Sequence, residues 1–344
     1  MNHATGRSIR HRPQLLGFAA LAVALAGLAL LATYSMGPAR KAPGQLPRLG
    51  FLTVSSPGSS PYLDAFRQGL REQGYLEGEN LLIEYRYAEG QDERFRALAA
   101  ELVALPVDVI LVVGGTPNVQ AVKNLTTTIP IVFLAAGDPV QSGLVASLAR
   151  PGGNTTGLST VATDLGGKRA ELLKEAVPGI TRVAALWNAA NAAKLLEFED
   201  TEAAGRVLGL QVQSLEVRGP DDFDDAFRAA TAGGAEALIV LNDPLVFINR
   251  VRIAERAAQS RLPAIYENRE FVRAGGLMAY GPSFTAAFQR AAYYVARILR
   301  GTSPADLPVE RPTTFEFVVN SKAAQALGLT LSHEVLMLAT EVIQ

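Results

Sequence analysis

The chain has 344 residues, 49% of them apolar, with 32 Lys and Arg against 33 Asp and Glu for a formal net charge of −1. That length accommodates two domains with their own cores, and the balanced charge argues against nucleic acid or an anionic surface as the main partner. With no cysteine, and with histidine only at His3, His11 and His333, disulfides, thiolate nucleophiles and cysteine zinc sites are excluded, and no metal site is expected.

The first segment carries Arg7, Arg10 and Arg12 without an acid, then an apolar run from Leu15 to Ala32, then a polar stretch with Gly and Pro. That order marks residues 1–39 as an export signal or a retained N-terminal anchor, followed by a linker over 40–47. A helix of this length would span roughly 27 Å, the border between the two outcomes. Without cysteine there is no acceptor for lipoprotein anchoring, so membrane contact is expected only through this segment if it stays uncleaved.

From Arg48 short apolar runs alternate with amphipathic stretches, the pattern of a parallel sheet covered by helices. A strand over Arg48–Val54, a helix over Tyr62–Gln73 ending at Gly74, a strand over Asn80–Tyr87, a helix over Asp92–Leu105 and strands over Val107–Val113 and Thr128–Phe133 form one block. The same succession returns about 130 residues later: a strand over Arg182–Trp187, a helix over Ala193–Leu208 ending at Gly209, a strand over Leu210–Val217, a helix over Asp221–Ala232, and strands over Ala235–Leu241 and Arg261–Tyr266. The period is too long for a solenoid and suits two Rossmann-like halves. The fold class is therefore α/β, with two doubly wound lobes joined by a multi-strand hinge. Candidate crossovers are Pro151–Gly157, Ala279–Pro282 and a third near Arg311–Val319, which divides the chain into lobe 1 (48–158 plus 282–312) and lobe 2 (159–281 plus 313–344).

Ligands bind such sheets beyond the carboxyl ends of the strands, so the loops there supply the candidate ligand-binding residues. In the first half these are Ser55, Ser56, Ser60, Tyr62, Gly114, Gly115, Thr116, Ala136 and Asp138; in the second they are Trp187, Asn188, Asn191, Asn242, Asp243, Tyr266, Glu267 and Asn268, with Tyr280 at a crossover. Ser60-Pro61, Thr116-Pro117, Asp138-Pro139 and Asp243-Pro244 each read as an N-cap with proline at the first helical position, and helix starts with free N–H groups suit an anion. Gly114-Gly115 allows close main-chain approach. Trp187 could stack on a planar ligand or cap a core, and Glu267 and Asp243 could meet an ammonium group or serve as surface charge and helix cap. No phosphate loop, dinucleotide fingerprint or nucleophile elbow occurs, so no cofactor and no catalytic residue is expected.

Several segments resemble the ABC transporter substrate-binding protein family that includes tryptophan- and tyrosine-binding members. They are Leu49-Gly-Phe-Leu52, Leu70-Arg-Glu-Gln-Gly-Tyr75, Ile129-Pro-Ile-Val-Phe133, Asp138-Pro-Val140 with Ser142-Gly-Leu-Val145, Pro151-Gly-Gly-Asn-Thr-Thr-Gly157, Ala274-Gly-Gly-Leu-Met-Ala-Tyr-Gly281 and Pro304-Ala-Asp-Leu-Pro308. The resemblance implies a type I periplasmic binding protein fold, a periplasmic location, an amino acid or similar small polar ligand held by hinge closure, and delivery to an ABC permease with its ATPase. Tyr266-Glu267-Asn268-Arg269 departs from the pattern after the last strand. A membrane-tethered ligand sensor and a Rossmann-type enzyme on a small metabolite are the alternatives.

Overall fold

The computed structural model describes residues 45–58, 61–160 and 165–344, so the export segment, most of the linker and Ser60 lie outside the described residues. Strand β1 (Arg48–Thr53) is buried from its second residue onward, as a strand covered on both faces requires. It is followed by α1 (Leu63–Glu72), β2 (Leu82–Tyr87), α2 (Asp92–Ala104), β3 (Val109–Val113), α3 (Thr116–Leu125), β4 (Ile131–Ala136) and β5 (Thr155–Ser159). The five strands form one parallel sheet in the order β2-β1-β3-β4-β5.

After α4 (Gly166–Ala176) the same unit recurs as β6 (Arg182–Asn188), α5 (Ala192–Val207), β7 (Gln211–Val217), α6 (Phe223–Ala232), β8 (Ala237–Val240), the paired helices α7 (Pro244–Ile248) and α8 (Arg250–Gln259), and β9 (Ala264–Tyr266). Helix α9 (Arg269–Arg273) leads to β10 (Met278–Pro282). The order β7-β6-β8-β9-β10 repeats that of the first sheet, and the duplicated architecture expected from the period is present. Beyond β10 the second sheet gains β11 (Phe315–Asn320), its antiparallel neighbour, and β12 (Glu341–Ile343), reached through α11 (Ser321–Ala326) and α12 (His333–Leu338).

The prolines that precede β4 and β9 lack a donor but contribute acceptors: the carbonyls of Pro130 and Pro263 take the N–H groups of Ile110 and Leu238 at 2.9 Å. Each proline thus ends the loop without breaking the ladder.

The chain passes between the sheets three times. The first passage follows β5, so Pro151–Gly157 is not itself a crossover as the turn residues suggested. Thr155–Ser159 is still a strand of the first sheet, and Gly157 (φ +152°) is there because a Cβ would collide with the Phe133 backbone of β4. At Pro282 the chain leaves the second sheet for α10 (Phe284–Leu299), which packs on α1 and covers the first sheet. Thr156 Oγ1 donates to the Leu307 carbonyl at 2.6 Å and Leu158 bridges Glu310, anchoring this return segment to the first sheet. The chain then crosses back through Arg311–Thr314 into β11.

The interlobe cavity

Because β1–β5 and β6–β10 run parallel within their sheets and present their carboxyl ends to the same space, the strand-end loops of the two lobes line one cavity of about 740 Å³. From the first sheet come Val54 and Ser55 after β1, Gly114–Thr116 after β3, Gly137 and Asp138 after β4, and Ser159 at the end of β5 with Thr160 after it. The second sheet supplies Asn191 to Lys194 and Glu197 at the start of α5, Asn242 to Pro244 after β8, and Glu267 and Asn268 after β9. The lobes touch across it: Phe247 packs against cores of both sheets, and Tyr62 Oη donates to Asn268 Oδ1 at 2.7 Å in a buried bond.

The first-lobe wall combines an apolar slot with main-chain donors. Tyr62 stacks on Phe284 at 5.7 Å and lies 5.4 Å from Phe288, and all three rings line the cavity. Gly115, in extended conformation, is the N-cap of α3 and lines the cavity with Thr116; Pro117 has no N–H, and the Asn118 and Val119 N–H groups bond back to the Gly115 carbonyl at 3.0 and 3.3 Å. Thr116 is helical rather than the cap expected from sequence, and its Oγ1 accepts the Gly137 N–H at 3.0 Å, tying two loops together. Asp138 caps a turn and not a helix, since its Oδ1 accepts from the N–H groups of Val140 and Gln141 at 2.9 and 3.0 Å.

The second-lobe wall is ionic. Asp243 caps α7 through Leu245 N–H at 3.0 Å and also accepts from Asn188 Nδ2 at 2.7 Å and Asn191 Nδ2 at 2.8 Å, so its oxygens are satisfied within the protein. Glu267 differs. Its side chain is 2% exposed and its Oε2, 3.6 Å from Arg169 Nη1, has no hydrogen-bond partner among the described residues. Asn242 Oδ1, also on the wall, is likewise without a donor. Behind Glu267, Arg169 Nη2 donates to Glu197 Oε1 at 2.6 Å, and Lys194 Nζ donates to Glu197 Oε2 at 2.6 Å.

Two cations thus face three carboxylates, Glu197, Glu267 and Asp243, leaving one negative charge in excess. Burial pushes the Glu267 carboxyl above the usual glutamate range; Arg169 opposes this and the Glu197 charge adds to it. Glu197 moves the other way, for although burial acts against its charge, Lys194 and Arg169 at bonding distance outweigh it. Lys194 is raised: burial disfavours its charge, but Glu197, Glu267 and Asp243 surround it. Tyr62 is pushed up by burial and by Glu270, so it stays a neutral donor at physiological pH.

A family model described as ABC transporter substrate binding protein matches residues 51–343. The chain belongs to this family. A tyrosine-binding protein of Clostridioides difficile is 26% identical over 274 residues, 78% of each chain. A solved conserved domain protein of Vibrio cholerae is 29% identical with a TM-score of 0.79, over 87% of this chain and 100% of that one. The solved ABC domain of Streptococcus pneumonia in complex with L-Trp is 25% identical with a TM-score of 0.78 over the same shares. The fold of this substrate-binding protein is the two-lobed type I periplasmic binding fold.

Of the loop residues singled out by sequence, Ser55, Tyr62, Gly114, Gly115, Thr116, Asp138, Asn191, Asn242, Asp243, Glu267 and Asn268 line the cavity of the substrate-binding protein. Ser60 lies outside the described residues. Ser56, Ala136, Trp187, Asn188, Tyr266 and Tyr280 are not on the wall. Trp187 is a core residue, stacked on Phe198 at 5.3 Å with its Nε1 donating to Ser214 Oγ at 2.8 Å, because it is still paired in β6 and its side chain faces the covering helix. Tyr266 ends β9 in the same way, fully buried against Phe271 at 4.6 Å. Tyr280 packs beside Phe315 and Phe317, Ala136 offers its carbonyl to Thr160 N–H at 2.7 Å, and Asn188 donates to Asp243 Oδ1 and accepts the Ala190 N–H.

The sequence reading missed Lys194 and Glu197, the rings of Phe284 and Phe288, and Arg311, which lines the cavity from the third crossover. One signal was available: Glu197, Thr201 and Gly205 recur at four-residue spacing, and that polar and small stripe is the buried face of α5. An acid on a buried stripe calls for a cation, which Arg169 supplies from α4.

Proposed function

We propose that this substrate-binding protein is the exported, periplasmic component of an ABC importer. It captures a free amino acid with an aromatic side chain as lobe 1 (48–158 plus 282–312) and lobe 2 (159–281 plus 313–344) close upon it, and presents it to the permease and its ATPase. The observation that carries this reading is Glu267 Oε2, a buried carboxylate oxygen on the cavity wall without a donor among the described residues, in a cluster where three carboxylates face two cations. An unsatisfied buried acceptor is costly unless a ligand donor completes it, and an ammonium group brings both donors and the missing charge. Across the cavity, the Arg311 guanidinium and the Thr116 N–H at the start of α3 suit a carboxylate. The rings of Tyr62, Phe284 and Phe288 offer an apolar surface between them. The tyrosine-binding relative and the neighbour in complex with L-Trp support an aromatic amino acid.

Calorimetric titration of residues 40–344 tests this with L-tyrosine, L-tryptophan, tyramine and 3-(4-hydroxyphenyl)propionate. The two amino acids are expected to bind and to raise the melting temperature, by about 2.7 kcal/mol of added stability at a hundredfold excess over Kd. Tyramine and the propionate each lose one anchoring charge and are expected to bind far more weakly. Equal binding of the propionate and L-tyrosine, or no binding of either amino acid, refutes the assignment.

A further inference from the structure

Arg169 does not line the cavity, yet it is the bulkiest of the fully buried side chains among the described residues. Its Nη2 bonds Glu197, while Nε and Nη1 have no hydrogen-bond acceptor among the described residues, and Nη1 lies 3.6 Å from Glu267 Oε2. A guanidinium kept dry with donors idle costs stability, and a simple ion pair with Glu197 would be served by Lys194 alone. What Arg169 adds is a planar fork that reaches two carboxylates at once, one inside the wall and one on the cavity surface.

We infer that Arg169 is a positioning residue for ligand recognition: from behind the wall it keeps the Glu267 carboxylate ionised and turned toward the cavity, with Glu197 and Lys194 holding the guanidinium in place. Glu267 is faced by Arg169 from α4, by Lys194 and Glu197 from α5, and by Asn242 N–H after β8, with Asp243 close to Lys194. Its sequence neighbours are engaged elsewhere, Arg269 with Glu316 and Glu270 with Arg273, and β10 brings only the Gly281 backbone against it. Arg169 is therefore the nearest positive charge that does not already sit in the cavity. Without it, burial and the Glu197 charge both favour protonated Glu267, which neither attracts an ammonium group nor accepts through both oxygens.

The ligand arm of this inference rests on the amino-acid reading; the ionisation arm does not. In the full exported chain carrying [δ-13C]glutamate, the Glu267 carboxyl signal is identified by its loss in Glu267→Gln and titrated in wild type, Arg169→Gln and Arg169→Lys. Arg169→Gln is expected to raise the Glu267 midpoint by about one to three pH units. L-Tyrosine affinity in Arg169→Gln should fall about tenfold for each pH unit below the new midpoint and recover as pH rises past it. A purely structural role would weaken binding equally at every pH. Should Arg169→Gln fail to fold, Arg169→Lys decides the matter, since a single ammonium stays with the closer Glu197 and leaves Glu267 to move upward. An unmoved midpoint in the folded variant overturns the inference whatever happens to binding. A raised midpoint in a chain that binds neither L-tyrosine nor L-tryptophan upholds it and removes the amino-acid assignment instead.

Discussion

Replacing Tyr62 by phenylalanine removes one atom, and with it the buried bond from Tyr62 Oη to Asn268 Oδ1 at 2.7 Å that joins the two lobes. The ring keeps its stack on Phe284 and its contact with Phe288. Asn268 Oδ1 also accepts the Glu270 N–H at 2.9 Å as the cap of α9, so it is not left empty, and the larger penalty of an orphaned acceptor does not apply. The relevant magnitude is the net value of a neutral hydrogen bond, about 0.5–1.5 kcal/mol. Because the bond exists only with the lobes together, its loss is expected to appear in a ligand that binds between them, as a Kd about two- to twelvefold higher. The lobe cores are untouched, so the melting temperature of the ligand-free chain should hardly move. Titration calorimetry with L-tyrosine, paired with a thermal melt and small-angle scattering, reads all three quantities. An unchanged Kd, or a weaker Kd matched by an equal loss of ligand-free stability, would refute a bond that acts on closure.

Glu267→Gln should cost an ammonium ligand about 2–5 kcal/mol, seen as at least a thirtyfold rise in Kd for L-tyrosine, and retention of tight binding would place the ammonium elsewhere. The same variant has a signature in stability. Burial raises the folded carboxyl above its unfolded value, so ionisation opposes folding; that cost is absent below the ordinary glutamate range and grows as pH rises through the folded midpoint. The ligand-free variant is therefore expected to melt above wild type at pH 8 and level with it near pH 4, and a constant gap across that window contradicts the assigned shift. Trp187→Phe preserves a stack on Phe198 but loses the bond to Ser214. It should lower stability by about 1 kcal/mol and leave Kd unchanged, and a weakened Kd would return Trp187 to the cavity wall.

Much of the scaffold was legible from local signals. Apolar runs of strand length marked β1, β3, β4, β6 and β8 because a strand covered on both faces cannot afford polar side chains, and the repeat of that succession exposed the duplication. Asp243-Pro244 announced the start of α7, where Asp243 is the cap. The position of Glu267, one residue beyond the last paired residue of β9, was enough to bring it to the ligand side.

The errors at Trp187 and Tyr266 share one origin. Trp187 and Tyr266 stand at strand ends, but whether the last paired side chain faces a helix or the cavity depends on the phase of the pleat, and a one-residue step reverses it. Thr116 looked like a cap, yet its hydroxyl is engaged by Gly137 from another loop, which no local pattern contains.

The sequence alone determined the order and type of the elements in the two repeated blocks and the loops that could meet a ligand, since periodicity and capping are properties of neighbouring residues. Only the tertiary structure decided that Arg169, Glu197 and Glu267, drawn from two helices and a strand end, share one dry space, and which of their oxygens remains unanswered. The free energy of a buried charge depends on every group packed around it, and those groups are assembled by contacts between segments far apart in the chain.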